Sequence, residues 1–224
     1  MKQAVLLLSI CILSFLYSPA QNKKITYGFL GGINFNSAHG SGIDKDRCSI
    51  LRGINAGSFV KLTTSKNFAL RAGVEYDELG YSYRDLSFET SAGNGLVRGD
   101  LFVERNYLNF PVSGEYSFGN KTRFYTNAGV FFGVLLNNKT TFKPSYDSEN
   151  SLSFRSNAAL LSNINYGLVV GTGVEVPIGK CLKAGFSLQN KLGLKNINKS
   201  GSSAAETTIK TNAVSIGCSI GFAL

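Results

Sequence analysis

His39 is the sole histidine of the 224-residue chain, and a general base that works near neutral pH is most often a histidine. It stands in Asn36-Ser-Ala-His-Gly-Ser-Gly-Ile-Asp-Lys-Asp46, a loop that could bring Ser37, Ser41, Asp44 or Asp46 towards it. A nucleophile, a base and an orienting acid are what hydrolysis would require, but a stretch this rich in Gly and Ser chiefly supplies turns. Asp44 and Asp46 have the one-apart spacing that opens a calcium loop, without the other ligands of a twelve-residue site. No Gly-Lys-Ser/Thr phosphate loop and no Cys/His cluster with metal spacing follows. The residues therefore point to a non-catalytic protein with no cofactor and no metal. Of the four cysteines, Cys11 lies in the apolar N-terminal stretch, and the remaining Cys48, Cys181 and Cys218 are an odd set, which leaves no complete disulfide framework.

Charge gives a second set of candidates. Lys61, Arg71, Glu75, Glu115, Arg123, Glu175 and Lys183 all occupy odd positions in alternating segments, on the face opposite the apolar one. Four cations and three acids nearly balance. An enclosed charge without a partner is strongly penalised, so a structural network of ion pairs is expected in preference to an ion pathway. Arg71 and Glu75 share a face of one strand, while Glu115 with Arg123 and Glu175 with Lys183 flank tight turns. These are the expected pairs.

The elements that must position those charges are strands. From Asn106 to Phe118 and from Arg123 to Leu136, even positions carry Leu108, Phe110, Val112, Tyr116, Phe118, Phe124, Val130, Phe132 and Val134, whereas odd positions are small, polar or singly charged. This is period-two patterning. It recurs at about 24–35, 54–62, 68–77, 164–176, 181–190 and 212–224, with Phe59 breaking the pattern of its segment. Each run approaches the nine to eleven residues that a tilted strand needs to cross a bilayer. Connections alternate: long at 36–53, 78–102, 137–163 and 191–211, short at 63–67, 119–122 and 177–180. Short turns on one rim and long loops on the other are the rhythm of bacterial outer-membrane barrels, turns in the periplasm and loops outside.

A soluble lipocalin-like barrel or a β-sandwich also alternates, but it turns its apolar face inward and clothes the other in charge. Here the second face reads Asn165, Gly167, Val169, Gly171, Gly173 and Glu175, too poor in charge to be a solvent surface. Glycine is unfavourable inside strands without a steric cause. Its concentration on that face, with Gly31 and Gly114 as exceptions, suits the narrow interior of an eight-stranded barrel. Outward aromatics such as Tyr27, Phe68, Tyr116, Phe118, Phe124 and Phe222 gather near strand ends, where interfacial girdles sit.

Residues 1–20 have Lys2, an apolar core from Ala4 to Tyr17, and Ser18-Pro19-Ala20, which reads as a cleaved secretory signal ahead of a barrel domain at 21–224. No later apolar run is long enough for a membrane helix. The formal charge of +9 is scattered singly, which argues against nucleic acid and favours anionic lipid head groups.

The segments Tyr27-Gly-Phe-Leu-Gly-Gly-Ile-Asn-Phe35, Asn106-Tyr-Leu-Asn-Phe-Pro-Val112 and Tyr166-Gly-Leu-Val-Val-Gly-Thr-Gly-Val-Glu175 resemble the PorT-like outer-membrane β-barrel domain family of Bacteroidetes. The resemblance implies an all-β, eight-stranded antiparallel up-and-down transmembrane barrel in the outer membrane. It also brings a link to protein secretion through one member. The expected role is binding, assembly or envelope structure through extracellular loops, with a small channel, or an enzyme acting on lipid or peptide, as the alternatives. Outer-membrane lipids, lipopolysaccharide, the assembly machinery and a loop-bound protein are the expected partners. The chain ends in Leu224 with Phe222 two residues earlier, a departure from the terminal aromatic of many outer-membrane strands.

Overall fold

The computed structural model describes residues 24–41, 43–44, 46–89, 96–145, 152–154, 162–198 and 208–224. The expected leader at 1–20 lies outside these residues. Among the described residues ten strands run in chain order: β1 (Lys24–His39), β2 (Cys48–Ser49), β3 (Leu51–Thr63), β4 (Phe68–Glu89), β5 (Leu96–Phe118), β6 (Arg123–Pro144), β7 (Leu152–Phe154), β8 (Ile164–Pro177), β9 (Leu182–Gly193) and β10 (Lys210–Ala223). Eight of them close into a ring in which each pairs antiparallel with its neighbours in the chain. The seam between first and last runs from Thr26 opposite Ala223 to His39 opposite Lys210. β2 and β7 are short additions to β4 and β6.

Alternation is what turns this ring inside out. Phe29, Ile33, Val130, Val170, Phe186 and Ile220 project outward and are exposed, while Thr26, Asn34, Asn109, Glu115, Asn127 and Ser215 project inward and are buried. A continuous apolar belt outside a polar interior is unfavourable in water, and it is the arrangement a bilayer stabilises. Near the short turns the belt ends in aromatic pairs, Phe68 with Tyr116 at 5.0 Å and Phe118 with Phe124 at 5.8 Å between ring centroids.

Phe59 does not break its strand. It keeps the inward parity and is buried in the lumen. Gly28 makes room for it, since a Cβ on Gly28 would stand 2.4 Å from Phe59 Cζ. Gly173 yields in the same way to Tyr125, at 2.5 Å. At the outward exception Gly114, by contrast, nothing lies within 4 Å.

The segments expected as long loops at 78–102 and 137–163 are strand over much of their length. β4 and β5 pair from Phe68–Tyr116 to Glu89–Leu96, and β5 with β6 out to Gly99–Pro144. The outward apolar belt stops because the ribbons leave the lipid, and the apolar residues Leu79, Tyr81 and Val103 take the inward parity instead, while backbone pairing continues. Two irregularities accompany the exit: a register shift between Tyr83 and Leu86 at Asp85, whose φ is +52°, and another between Asn106 and Tyr107 opposite Leu136. β4, β5 and β6 with β7 thus build a projecting extracellular sheet, the crown.

Candidate functional site

Lumen side chains are set in layers by strand register. Nearest the short turns, Lys61 from β3 reaches across the barrel to Glu115 of β5 at 3.2 Å and to Glu175 of β8. The Arg71 guanidinium lies 3.8 Å from the centroid of the Phe59 ring, a cation–π contact of the desolvated kind. Arg123 donates to the Lys66 carbonyl at 2.5 Å and to Ser117 Oγ at 2.7 Å, and so closes a turn.

Further out, Lys191 of β9 bridges Glu75 and Asp77 of β4, the latter at 2.5 Å. Asp77 also accepts from Asn34 Nδ2 at 3.1 Å and Asn109 Nδ2 at 2.5 Å, and Ser215 Oγ donates to Asn34 Oδ1 at 2.5 Å. Above this polar layer sit Leu79, Tyr107 and Ala213 with Leu135, and above them Ile43, Tyr81 and Val103. Between the layers two cavities of about 20 and 10 Å3 touch Arg71 and Glu75. Cavities of that size hold about one water each. The interior is packed, not open.

The seven charges expected on the lumen face are brought together differently from the expected pairing. Glu115 meets Lys61, not Arg123; Glu75 meets Lys191, not Arg71; and Glu175 meets Lys61, with no ion pair to Lys183 among the described residues. The reason is geometric. Residues flanking one turn are neighbours along the wall, but in a narrow barrel long side chains meet across the axis, where the desolvation that drives pairing is greatest. Lys191, Asp77 and Arg105 are buried members that the sequence reading left out of the set. Lys191 lies one residue past the expected end of its strand, and its odd parity was the available signal.

The loop around His39 assembles no hydrolytic set among the described residues. His39 pairs with Lys210 in the ladder, and burial together with that cation holds its imidazole below the usual range. Ser41 Oγ accepts from the Thr208 amide at 3.0 Å. Asp44 accepts from the Asp46 amide at 3.1 Å and stands 3.7 Å from Arg47, so this acidic pair forms a local turn. Cys48 packs against the Ile43–Tyr81–Val103 cluster, and burial pushes its thiol up.

A family model described as "Outer membrane protein beta-barrel domain" matches residues 19–199. Among solved structures, the chain is similar to Ail, the attachment invasion locus protein of Yersinia pestis, with 13% identity over 91% of this chain and 100% of that one and a TM-score of 0.41. It is also similar to OprG from Pseudomonas aeruginosa (12% identity, 90% and 95% covered, TM-score 0.45) and to Neisserial surface protein A (13%, 87% and 96%, TM-score 0.43). No curated protein matches the sequence.

Proposed function

Because this chain belongs to the outer membrane protein β-barrel domain family, whose model matches most of its length, and is an integral barrel of the bacterial outer membrane, we propose that it serves a non-catalytic binding or assembly role carried by the extracellular crown. The observation that carries this reading is the contrast between a packed lumen and a projecting ordered sheet. Ion-paired lysines and an apolar lid occupy the path a solute would take, whereas β4 to β7 extend beyond the membrane with paired backbone. In this reading Lys61, Arg71, Glu75, Glu115, Arg123, Glu175 and Lys183 have a structural task, holding the barrel closed. Lipopolysaccharide surrounds the outer rim, the assembly machinery delivers the chain, and a protein partner meets the crown. The resemblance to PorT-like barrels favours a secretion-associated partner.

The test is a variant in which residues 84–99 are replaced by a two-residue turn, leaving the Ser82–Phe102 pair and everything below it intact. Cross-linking on intact cells should capture an envelope partner with the full chain and lose it with the variant, while both keep the heat-modified gel mobility of a folded barrel. Capture that does not depend on the crown, or large single-channel conductance in planar bilayers, would overturn the reading.

A further inference from the structure

The wall of the barrel loses its backbone ladder between β3 and β4. They pair from Thr63–Ala69 up to Asn55–Asp77, and on this edge β4 is next paired with β2, at Ser49–Ser82. Between these points side chains supply the hydrogen bonds: Asn36 Nδ2 donates to the Glu78 carbonyl at 2.8 Å, the Ile54 amide donates to Glu78 Oε2 at 3.2 Å, and Asn34 Nδ2 donates to the Ile54 carbonyl at 3.3 Å. A cavity of about 130 Å3 opens at the interruption, lined by Asn36, Arg52, Gly53, Glu78, Glu104 and Asn106.

Three features of this cavity suit it to a ligand. Asn36 is 1% exposed, and its Oδ1 has no hydrogen-bond partner, so a buried acceptor is left waiting. Arg52, Glu78 and Glu104 supply one cation and two carboxylates, none of which forms an ion pair among the described residues; Lys139, opposite Glu104 in the ladder, does not line the cavity. Depth is the third feature. Along β3, β4 and β5 the last outward belt residues are Ile54, Tyr76 and Leu108, and the next outward positions are Arg52, Glu78 and Asn106. The cavity therefore sits where the outer-leaflet head groups meet the hydrocarbon.

The same wall carries the matching apolar feature. An open groove of about 450 Å3 runs between Tyr27, Phe29, Val60 and Val74 over Ser58 and Ala72. Between groove and cavity the outward rows are Gly31–Ala56–Tyr76 and Ile33–Ile54, so an acyl chain would cross the small Gly31 and Ala56 beside Tyr76 and lie against the two isoleucines.

We propose that the β3–β4 interruption is a binding site for one membrane lipid with a phosphoethanolamine head group. Its ammonium donates to Asn36 Oδ1, Glu78 and Glu104, its phosphate accepts from Arg52, and an acyl chain lies in the groove below. Charge-assisted hydrogen bonds to both ends of a zwitterion select it over a head group that lacks either charge or N–H donors. The crown reading stands or falls separately, since residues 84–99 do not line this site.

The full-length protein, folded in nanodiscs doped with phosphatidylethanolamine, phosphatidylcholine or phosphatidylglycerol, is released into the gas phase, and its retained lipid is identified by native mass spectrometry. Phosphatidylethanolamine should be retained about tenfold over phosphatidylcholine, because N-methylation removes every N–H donor, and Glu78→Gln with Glu104→Gln should erase that preference. A parallel arm offers lipid A carrying phosphoethanolamine. Preference for it over unmodified lipid A, with none for phosphatidylethanolamine, supports the site and assigns its lipid to the glycolipid class. Equal retention of all head groups by the unmodified protein overturns the proposal, as does an undiminished preference in the folded double variant.

Discussion

The two lysine-centred clusters of the lumen use the same chemistry, one ammonium between two carboxylates, but differ in closure. Around Lys191 everything is sealed: Asp77 is fully buried and accepts from Asn34 and Asn109 as well as Lys191, with Leu79, Tyr107 and Ala213 above. Around Lys61 the cluster is looser. Glu115 Oε2 has no hydrogen-bond partner, the Glu175 side chain is 12% exposed, and Arg71 and Lys183 lie near enough to act on the Glu175 charge. A buried charge is costly in proportion to how completely its alternatives are removed. The Lys191 cluster has only the water-sized cavities that Glu75 shares with Arg71; the Lys61 cluster has neighbouring cations and a carboxylate partly open to solvent.

The largest effect should follow from opening the sealed cluster. Lys191→Met strands Glu75 and Asp77 together, and should cost about 3–5 kcal/mol, read as the urea midpoint in detergent micelles. Adding Glu75→Gln and Asp77→Asn should recover a substantial part, because neutral amides no longer repel. A triple variant no more stable than Lys191→Met would show that packing, not charge, is what Lys191 contributes.

Lys61→Met should cost less, about 1–3 kcal/mol, because Arg71 and Lys183 remain near its carboxylates. If the two lysine variants prove equally damaging, closure does not distinguish the clusters. A double-mutant cycle sharpens the same point. Glu175→Gln and Lys61→Met should couple by more than about 1 kcal/mol, whereas Glu175→Gln and Lys183→Met should couple by less than about 0.5 kcal/mol. The reverse order would restore the pairing expected from the turn.

The smallest effect lies outside the membrane. With its imidazole pKa lowered in the folded barrel by burial and by Lys210, His39 binds a proton more readily in the unfolded chain. Its contribution to stability is then complete above the ordinary imidazole value of about 6.5 and is lost as pH falls through the lowered folded value. Unfolding midpoints at pH 7.5 and 5.5 should differ slightly more for the native chain than for His39→Asn. An equal or opposite difference would remove His39 from the pH dependence.

The barrel was legible in the sequence because a bilayer imposes a strict rule on each strand separately: lipid on one side, a narrow lumen on the other, and a period of two between them. That rule marked the outward belt, the glycines at the lumen wall and the short turns without reference to any partner strand. Where lipid ends the outward belt ends: at 78–84 the apolar residues Leu79, Tyr81 and Tyr83 pass to the inward parity and at 137–144 alternation is lost, so these stretches no longer continue the belt and read as loops, although their backbones pair. Parity placed Lys61, Glu115 and Glu175 on the lumen face, but pairing depends on distances across the ring. Only closure of the barrel brought Lys61 from β3 to carboxylates on β5 and β8, and Lys191 from β9 to those on β4. Likewise, nothing local to residues 50–54 or 78–81 announces a broken ladder, because a missing hydrogen bond belongs to two strands at once.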